Sequence, residues 1–491
     1  DPRERFDTVA GFTTAALTER GEGGRLPTAG MRNVAVLPFV NASPDPENEY
    51  LSDGITDELI DALAKVEGLR VASRTSVFAL KGKQLDVRAI GALIGASVVI
   101  EGTVRKAGNR LRITAQLTST EDGRLLWSQR YDRKLDDVFA IQDEIGRTIV
   151  NTLRATSFAD LAEPVPTRYT DNVRAYGLYL KGRYAWSQRS QEAVAEAIRY
   201  FEQAIAEDPH YAPAYSGLAD SFALHVDYRS VPVAEGFARA RAYARQAIEL
   251  DETLAAAHAS LAWSLFIYDW DWTGAAREFR RAIELDPRYA TAHQWYAFHF
   301  ASQGQHEEAL VEGHTAQELD PSSVSARRGL GFLYFYARRF DQARYHLSHA
   351  ITMNPTAEES YRLLGLTLAV QEQYGEAERV LREALELPGA GPYAISTLGY
   401  TLARAGRRAE ALSLLRDLED RAGHDYVSPV SFATLYLGLR DWPRALDAME
   451  HSLHERRGWL VYANVNPIFD PVRGEQRFEA LVRRMGLRAT Q

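Results

Sequence analysis

The stretch LLGLTLAVQEQYGEAERVLREALELPG, residues 363–389, decides the helical part of the fold. Its second half begins around the small residue Ala377, and the bulky Leu381 follows one helical turn later on the same face. Gly365 has no side chain and allows a paired helix to come near. Gly389 ends the second helix. The stretch therefore predicts two helices, joined by a short turn, with Ala377 at their closest approach.

The same pattern recurs along most of the chain. The first two intervals between the equivalent alanines are 43 and 35 residues, and every later interval is 34. A fixed period of this length is typical of arrays of repeated helix–turn–helix units. The sequence predicts eight such units, built around Ala197, Ala240, Ala275, Ala309, Ala343, Ala377, Ala411 and Ala445.

These units resemble the tetratricopeptide repeat, a family of stacked helix pairs. The resemblance implies a mainly α fold, a superhelix of about eight repeats over residues 156–487. The excess between Ala197 and Ala240 predicts a longer turn within the second unit. After the last unit, residues 476–487 are predicted to form a capping helix that closes the array.

Superhelices of this family usually bind an extended peptide or a partner helix in a concave groove lined by the first helices. Applying the period, we expect eight side chains to face that groove, and aromatic and arginine residues are favoured at interfaces. The alternative is that Phe298 and Phe332 only pack between repeats and that the arginines are solvated. The expected groove residues are Gln294, Phe298, Arg328, Phe332, Tyr336, Arg362, Tyr400 and Arg404.

The pattern of residues 31–155 differs from that of the repeats and predicts a small α/β domain. Apolar runs bounded by turn residues predict strands, and amphipathic runs predict helices. Ser52 or Asp53 is expected to cap the first helix. The predicted order is β-α-β-α-β-β-β-α, with strands at 33–39, 69–72, 97–104, 110–117 and 125–131, and helices at 52–66, 87–94 and 137–153.

This domain resembles the TolB amino-terminal-like family. The matching phrases include Val36-Leu37-Pro38-Phe39, Glu101-Gly102-Thr103-Val104-Arg105 and Phe139-Ala140-Ile141-Gln142-Asp143-Glu144. The resemblance implies a binding or sensing module without an agreed chemistry. Four polar residues are candidate contacts for a small ligand, with helix capping as the alternative for the first two: Ser52, Asp53, Arg74 and Ser76.

Residues 1–20 are similar to the last helix of a protein kinase, where Asp-Pro, two residues and then Arg open the helix. Arg5 matches the structural arginine of that family, and residues 21–30 are predicted to be a linker. The chain does not begin with Met, so we expect it to be a piece of a longer protein. The catalytic motifs of protein kinases are absent from this sequence. The resemblance therefore implies a non-catalytic region, with an upstream kinase domain in the whole protein.

Composition narrows the function classes. The net charge of −9 argues against a general nucleic-acid binder, and the lack of cysteine excludes disulfides, thiolate zinc sites and a cysteine nucleophile. No apolar run approaches the ~18 residues of a membrane span. We expect no catalytic residue, cofactor or metal site, and a cytoplasmic setting.

The function predicted from the sequence is therefore regulatory. The chain is expected to bind a protein or peptide partner as part of a bacterial signalling protein, a Ser/Thr kinase in the first instance. One alternative is a sensor or scaffold module of a transcription regulator or an adenylate-cyclase-type protein. Another is binding of a small ligand by the TolB-like domain.

Overall fold

The computed structural model describes most of the chain from Asn33 to Leu487. The kinase-like helix with Arg5 and the linker at 21–30 lie outside the described residues, so those expectations stay predictions. The described residues are 33–66, 68–83, 85–156, 161, 169–187, 191–227, 233–321, 323–456 and 458–487.

The first part is a six-stranded mixed sheet with helices against it. Strand β1 pairs in parallel with β3 and β4, and β4, β5 and β6 form an antiparallel meander. The elements are β1 (Asn33–Val36), β2 (Val40–Asn41), α1 (Glu49–Ala64), β3 (Arg70–Val71), α2 (Arg74–Phe78), α3 (Val87–Ile94), β4 (Val98–Ala107), β5 (Arg110–Ser119), β6 (Leu125–Lys134) and α4 (Val138–Thr156).

This order confirms the predicted elements and adds two short ones, β2 and α2. The expectation that Ser52 or Asp53 caps α1 is wrong. Asp45 caps a 3-10 turn at Pro46–Asn48 by accepting a hydrogen bond from the Glu47 amide, so the chain is already helical at Glu49. Ser52 and Asp53 therefore lie inside α1, where both are buried.

The second part consists of helix pairs, eight in the described residues, which confirms the mainly α repeat fold. Each of the eight periodic alanines lies in the second helix of a pair and is buried. The pairs are α5 (Val173–Ser187) and α6 (Gln191–Glu207), α7 (Ala212–Asp227) and α8 (Val233–Leu250), α9 (Ala255–Ser264) and α10 (Trp272–Leu285), α11 (Ala290–Ser302) and α12 (His306–Leu319), α13 (Val324–Tyr336) and α14 (Phe340–Met353), α15 (Glu358–Val370) and α16 (Tyr374–Glu386), α17 (Pro392–Arg404) and α18 (Arg408–Ala422), α19 (Pro429–Leu439) and α20 (Trp442–Glu455).

Close approach within a pair depends on the glycine in its first helix. A Cβ on Gly365 would lie 2.4 Å from Leu381 Cγ, and one on Gly331 would lie 2.6 Å from Leu347 Cγ. Real side chains do not come this close, so any larger residue would push the two helices of the pair apart. The third pair is irregular, because α9 continues into a π-helical turn at Leu265–Asp269 before α10 begins.

The chain after α20 does more than cap the array. It forms two 3-10 turns, Gly458–Tyr462 and Pro467–Val472, followed by α21 (Gln476–Arg484). Buried apolar residues of this segment join the same core cluster as residues of α9, α11 and α13. We call residues 458–487 the return segment, because it folds back across repeats three to five.

The sheet domain contacts the array at several places. Helix α1 lies against α5, where a Cβ on Gly54 would be 2.4 Å from Leu180 Cδ1. At another place, the Arg288 guanidinium donates to the carbonyls of Leu69 at 2.9 Å and Val71 at 2.7 Å. In the described part of the chain, no helix has the length and apolar character needed to cross a membrane.

Candidate partner-binding surfaces

The expected groove residues all lie on the first helices of repeats four to seven. Helix α11 carries two of them, α13 three, α15 one and α17 two. The structure thus places them on one series of neighbouring helices, as the period predicts. It does not leave all of them accessible. Phe332, Tyr336, Arg362 and Tyr400 are buried, whereas the other four keep part of their surface exposed.

Aromatic rings fill the centre of this surface. Phe298 and Phe332 meet edge to face with ring centroids 5.7 Å apart, and Phe332 lies 4.3 Å from Tyr336. Tyr462 of the return segment stacks on Tyr336 at 4.9 Å and meets Phe332 edge-on at 5.2 Å. Such arrangements add to the free energy of burial. The partner of these rings is therefore the chain's own tyrosine.

The return segment is held by polar contacts as well. Arg338 forms a two-pronged ion pair with Asp470, with N–O distances of 2.7 and 2.8 Å. The indole of Trp272 donates to the Met485 carbonyl at 2.8 Å. These contacts fix the middle and the end of the segment over repeats three to five. Sequence reasoning missed them, because no periodic signal links the segment to those repeats.

The three arginines among the expected groove residues have different surroundings. Arg328 forms an ion pair with Glu359 at 2.8 Å and stays partly exposed. Arg362 is buried, with its guanidinium 5.6 Å from the Tyr393 ring centroid and 3.6 Å from the Glu358 carboxylate. Arg404 lies at the end of α17 and is partly exposed. Arg328 and Arg404 are thus the arginines that a partner can reach.

Gln294 and Phe298 occupy the rim of the same surface. The Gln294 amide donates to the Ser325 carbonyl at 2.9 Å and so bridges α11 to α13. On α17, three repeats further along, burial raises the pKa of Tyr400 to about 12, which keeps that phenol neutral. The accessible part of the predicted groove is therefore small, with Gln294, Phe298, Arg328 and Arg404 as its members.

The four candidate ligand contacts in the sheet domain do not converge. Arg74 forms an ion pair with Asp57 at 2.7 Å, and Ser76 donates to the Asp320 carboxylate of the repeat array at 2.9 Å. Asp53 is hydrogen-bonded to Lys81, and burial raises the pKa of its carboxyl. Ser52 lies inside α1 and is fully buried. The structure thus gives Arg74, Ser76 and Asp53 internal partners instead of a common pocket.

A carboxyl at the junction of the two parts has an unusual environment. Burial raises the pKa of Glu58 to about 8, and the carboxylates of Asp61 and Asp57 act in the same direction. Lys65 and Arg183 oppose this increase. These surroundings therefore favour the protonated form of Glu58. No sequence pattern indicates this environment, because Arg183 comes near Glu58 only when α1 and α5 pack together.

Residues with metal-ligand chemistry stay apart. Within the ranges that the structure describes, no three His, Asp or Glu side chains come together in a way that would hold a metal ion.

Comparisons with known proteins agree with the helical architecture. The sequence model of the tetratricopeptide repeat matches residues 264–324 and 328–395. The chain is similar to a protein named putative adenylate cyclase 3 from Rhizobium meliloti (strain 1021), with 39% identity over 234 residues. The match spans 48% of this chain and 40% of that protein. Less than half of each protein is therefore related by this match.

Solved structures show weaker likeness. A chain solved for the functional characterization of Pseudomonas aeruginosa pilF has 20% identity and a TM-score of 0.35, covering 47% of this chain and 96% of its own. A tetratricopeptide repeat protein from Parabacteroides merdae ATCC 43184 has 12% identity and a TM-score of 0.39, covering 53% of this chain and 99% of its own. The family match thus identifies residues 264–324 and 328–395 as tetratricopeptide repeats, and similar helix pairs with buried alanines continue on both sides of them.

Proposed function

We propose that the chain is the regulatory, partner-binding region of a bacterial signalling protein and carries no catalytic centre of its own. The tetratricopeptide repeats support it most directly, because they form a protein-interaction scaffold. The accessible partner surface would be the rim that contains Gln294, Phe298, Arg328 and Arg404. A cytoplasmic setting belongs to the same proposal.

The accessible arginines favour a partner with acidic side chains at its contact surface. Arg328 is held by a single exposed carboxylate, Glu359, which a partner's carboxylate can replace without burying an unpaired charge. Phe298 supplies an apolar neighbour on the adjacent helix. A peptide with an acidic residue next to an apolar one would match both features.

The identity of the signalling domain has two candidates. The relative from Rhizobium meliloti is named as an adenylate cyclase, which supports a nucleotide cyclase as the parent. The resemblance of residues 1–20 to the end of a kinase supports a Ser/Thr kinase, and Arg5 would then pair with a glutamate upstream. Sequencing the transcript upstream of the codon for Asp1 separates the two. A reading frame that encodes neither catalytic domain would refute both.

Partner binding can be tested with matched charge reversals. The full chain serves as bait beside an Arg328→Glu, Arg404→Glu variant, and an Arg379→Glu, Arg382→Glu variant is the control. The control arginines lie on α16, a second helix, and are more than half exposed. We expect a captured protein that the rim variant loses and the control retains. Equal capture by all three baits would refute the rim as the partner surface.

A further inference from the structure

A cluster of aromatic and basic side chains lies where α12, α13 and α14 meet, away from the rim described above. We call it the His–Arg cluster. Its ring contacts are close, with Tyr334 stacked on His346 at 5.1 Å and Tyr345 on His349 at 6.4 Å. Its members are His314, Arg327, Tyr334, Tyr345, His346 and His349.

Arg327 is the unusual member. Its Nε is buried without a hydrogen-bond acceptor, and its Nη1 lies 3.5 Å from His346 Nδ1. Burial lowers the pKa of Arg327, and of the neighbouring groups only the Tyr345 phenol acts to raise it. Among the described residues, no carboxylate forms an ion pair with this guanidinium. An arginine withdrawn from water in this way normally has an acidic partner.

His314 and His346 have a similar deficit of negative charge. Burial lowers the pKa of His346 to about 4, and Arg327, His314 and His349 all add to that effect. His314 faces one carboxylate, Glu318 of its own helix, and its Nε2 lies 2.8 Å from the Tyr334 hydroxyl. Four groups that can carry positive charge thus share a small volume, and Glu318 at its edge acts on His314.

The cluster is open to solvent on one side. Tyr345 is 52% exposed, and His314 is exposed as well. The ring centroids of His314 and His346 are 6.2 Å apart. One bound group can bridge a gap of this size when two of its oxygens each accept a hydrogen bond of about 2.9 Å from a different ring.

We propose that the His–Arg cluster binds a phosphate group, with the Arg327 guanidinium as its main contact and the rings of His314 and His346 as further donors. A phosphate offers several acceptor oxygens and about two negative charges, which suits this number of donors better than a carboxylate does. Two sources share this chemistry, namely free inorganic phosphate and a phosphorylated side chain. The exposed Tyr345 ring gives a phosphotyrosine an aromatic surface beside the site.

Binding should take up protons. The bound phosphate favours the charged form of His314 and His346, and Arg327, His349 and Glu318 are the charged or titratable groups that face them. Tyr334 and Tyr345 complete the surroundings, and burial raises the pKa of the Tyr334 phenol. Affinity for the phosphate dianion, corrected for protonation of the free phosphate, is therefore expected to rise as the pH falls from 8 to 6.

The experiment uses the full chain labelled with ¹³C in the histidine rings. Inorganic phosphate and a phosphotyrosine peptide are titrated separately, and an equal concentration of acetate is the anion control. We expect the resonances of His314 and His346 to shift with phosphate and not with acetate. Tighter binding of the peptide than of phosphate would assign a phosphorylated side chain, and equal binding would assign free phosphate.

Variants make the result decisive. Arg327→Gln should weaken phosphate binding about tenfold or more, as expected for the loss of a hydrogen bond to a charged group. Arg327→Lys, which keeps the charge, should weaken it less, and Arg379→Gln on α16 should leave it unchanged. A melting temperature for each variant shows whether it folds. Unchanged histidine resonances at saturating phosphate, or equal shifts in Arg327→Gln and the native chain, would overturn the proposal.

Discussion

Tyr462 offers the sharpest test of how the return segment is held. Its side chain is only 5% exposed, and it stacks on Tyr336 and meets Phe332 edge-on. Tyr462→Ala would remove both ring contacts and leave a cavity among α11, α13 and the return segment. Tyr462→Phe keeps the ring and serves as the matched control.

The expected loss follows from burial and ring geometry. Replacing a buried aromatic side chain by alanine costs about 3–5 kcal/mol, since transfer and cavity terms add. Each aromatic pair contributes about 0.5–1.5 kcal/mol beyond burial. The range for replacement by alanine already includes part of this contribution. We therefore expect Tyr462→Ala to lower the free energy of unfolding by about 4 kcal/mol, roughly a thousandfold in the unfolding equilibrium. For Tyr462→Phe we expect about 1 kcal/mol or less.

Urea denaturation of the full chain, followed by tryptophan fluorescence, measures these losses. Trp272 is a local reporter, because its indole donates to the Met485 carbonyl in the return segment. Limited proteolysis around residues 463–475 should become faster in Tyr462→Ala. A loss below about 1 kcal/mol for Tyr462→Ala, with unchanged proteolysis, would refute the inference that this ring anchors the segment.

Three further predictions concern other contacts. Gly365→Val should lower the melting temperature more than Val370→Ala, because its Cβ would collide with Leu381, and calorimetry measures the difference. The contribution of Glu58 to the free energy of unfolding should decrease as the pH rises from about 4.5 towards 8, because folding raises the pKa of Glu58 to about 8 and its protonated form is favoured in the folded state. Glu58→Gln should flatten that pH dependence in urea titrations, and an unchanged slope would contradict the assignment. Arg338→Ala should cost less than about 1 kcal/mol, since its ion pair with Asp470 is half exposed, and a larger loss in urea denaturation would show that solvent does not screen the pair.

The elements that the sequence predicted well are those with a strong local pattern. The helix at Val87–Ile94 has the predicted bounds, because Asp86 caps it and Gly95 ends it in a left-handed conformation. The repeat alanines were found because one residue type recurs at a fixed interval. Both signals depend on residues that are near in sequence, where helix geometry alone sets the contacts.

The candidate surfaces were harder to predict, because they depend on contacts between distant parts of the chain. The period placed Phe332 and Tyr336 on the first helix of their repeat, and only the folded chain shows that Tyr462 covers them. The sequence predicted Arg74 and Ser76 as ligand contacts. In the structure Arg74 pairs with Asp57, and Ser76 donates a hydrogen bond to Asp320. A local pattern can tell which helix carries a side chain, but the residue that covers it is set by tertiary packing.

The return segment also has a consequence for synthesis on the ribosome. Met485 lies 213 residues downstream of Trp272, and its carbonyl accepts a hydrogen bond from the Trp272 indole N–H. At about 5–20 residues per second, the third repeat waits roughly 10–40 s after its own translation before this contact can form. During that time the apolar surfaces of α9, α11 and α13 that belong to the shared core lack their last neighbours. A nascent or prematurely terminated chain would present those surfaces to chaperones and proteases, so loss of the last thirty or so residues should reduce the amount of protein in the cell.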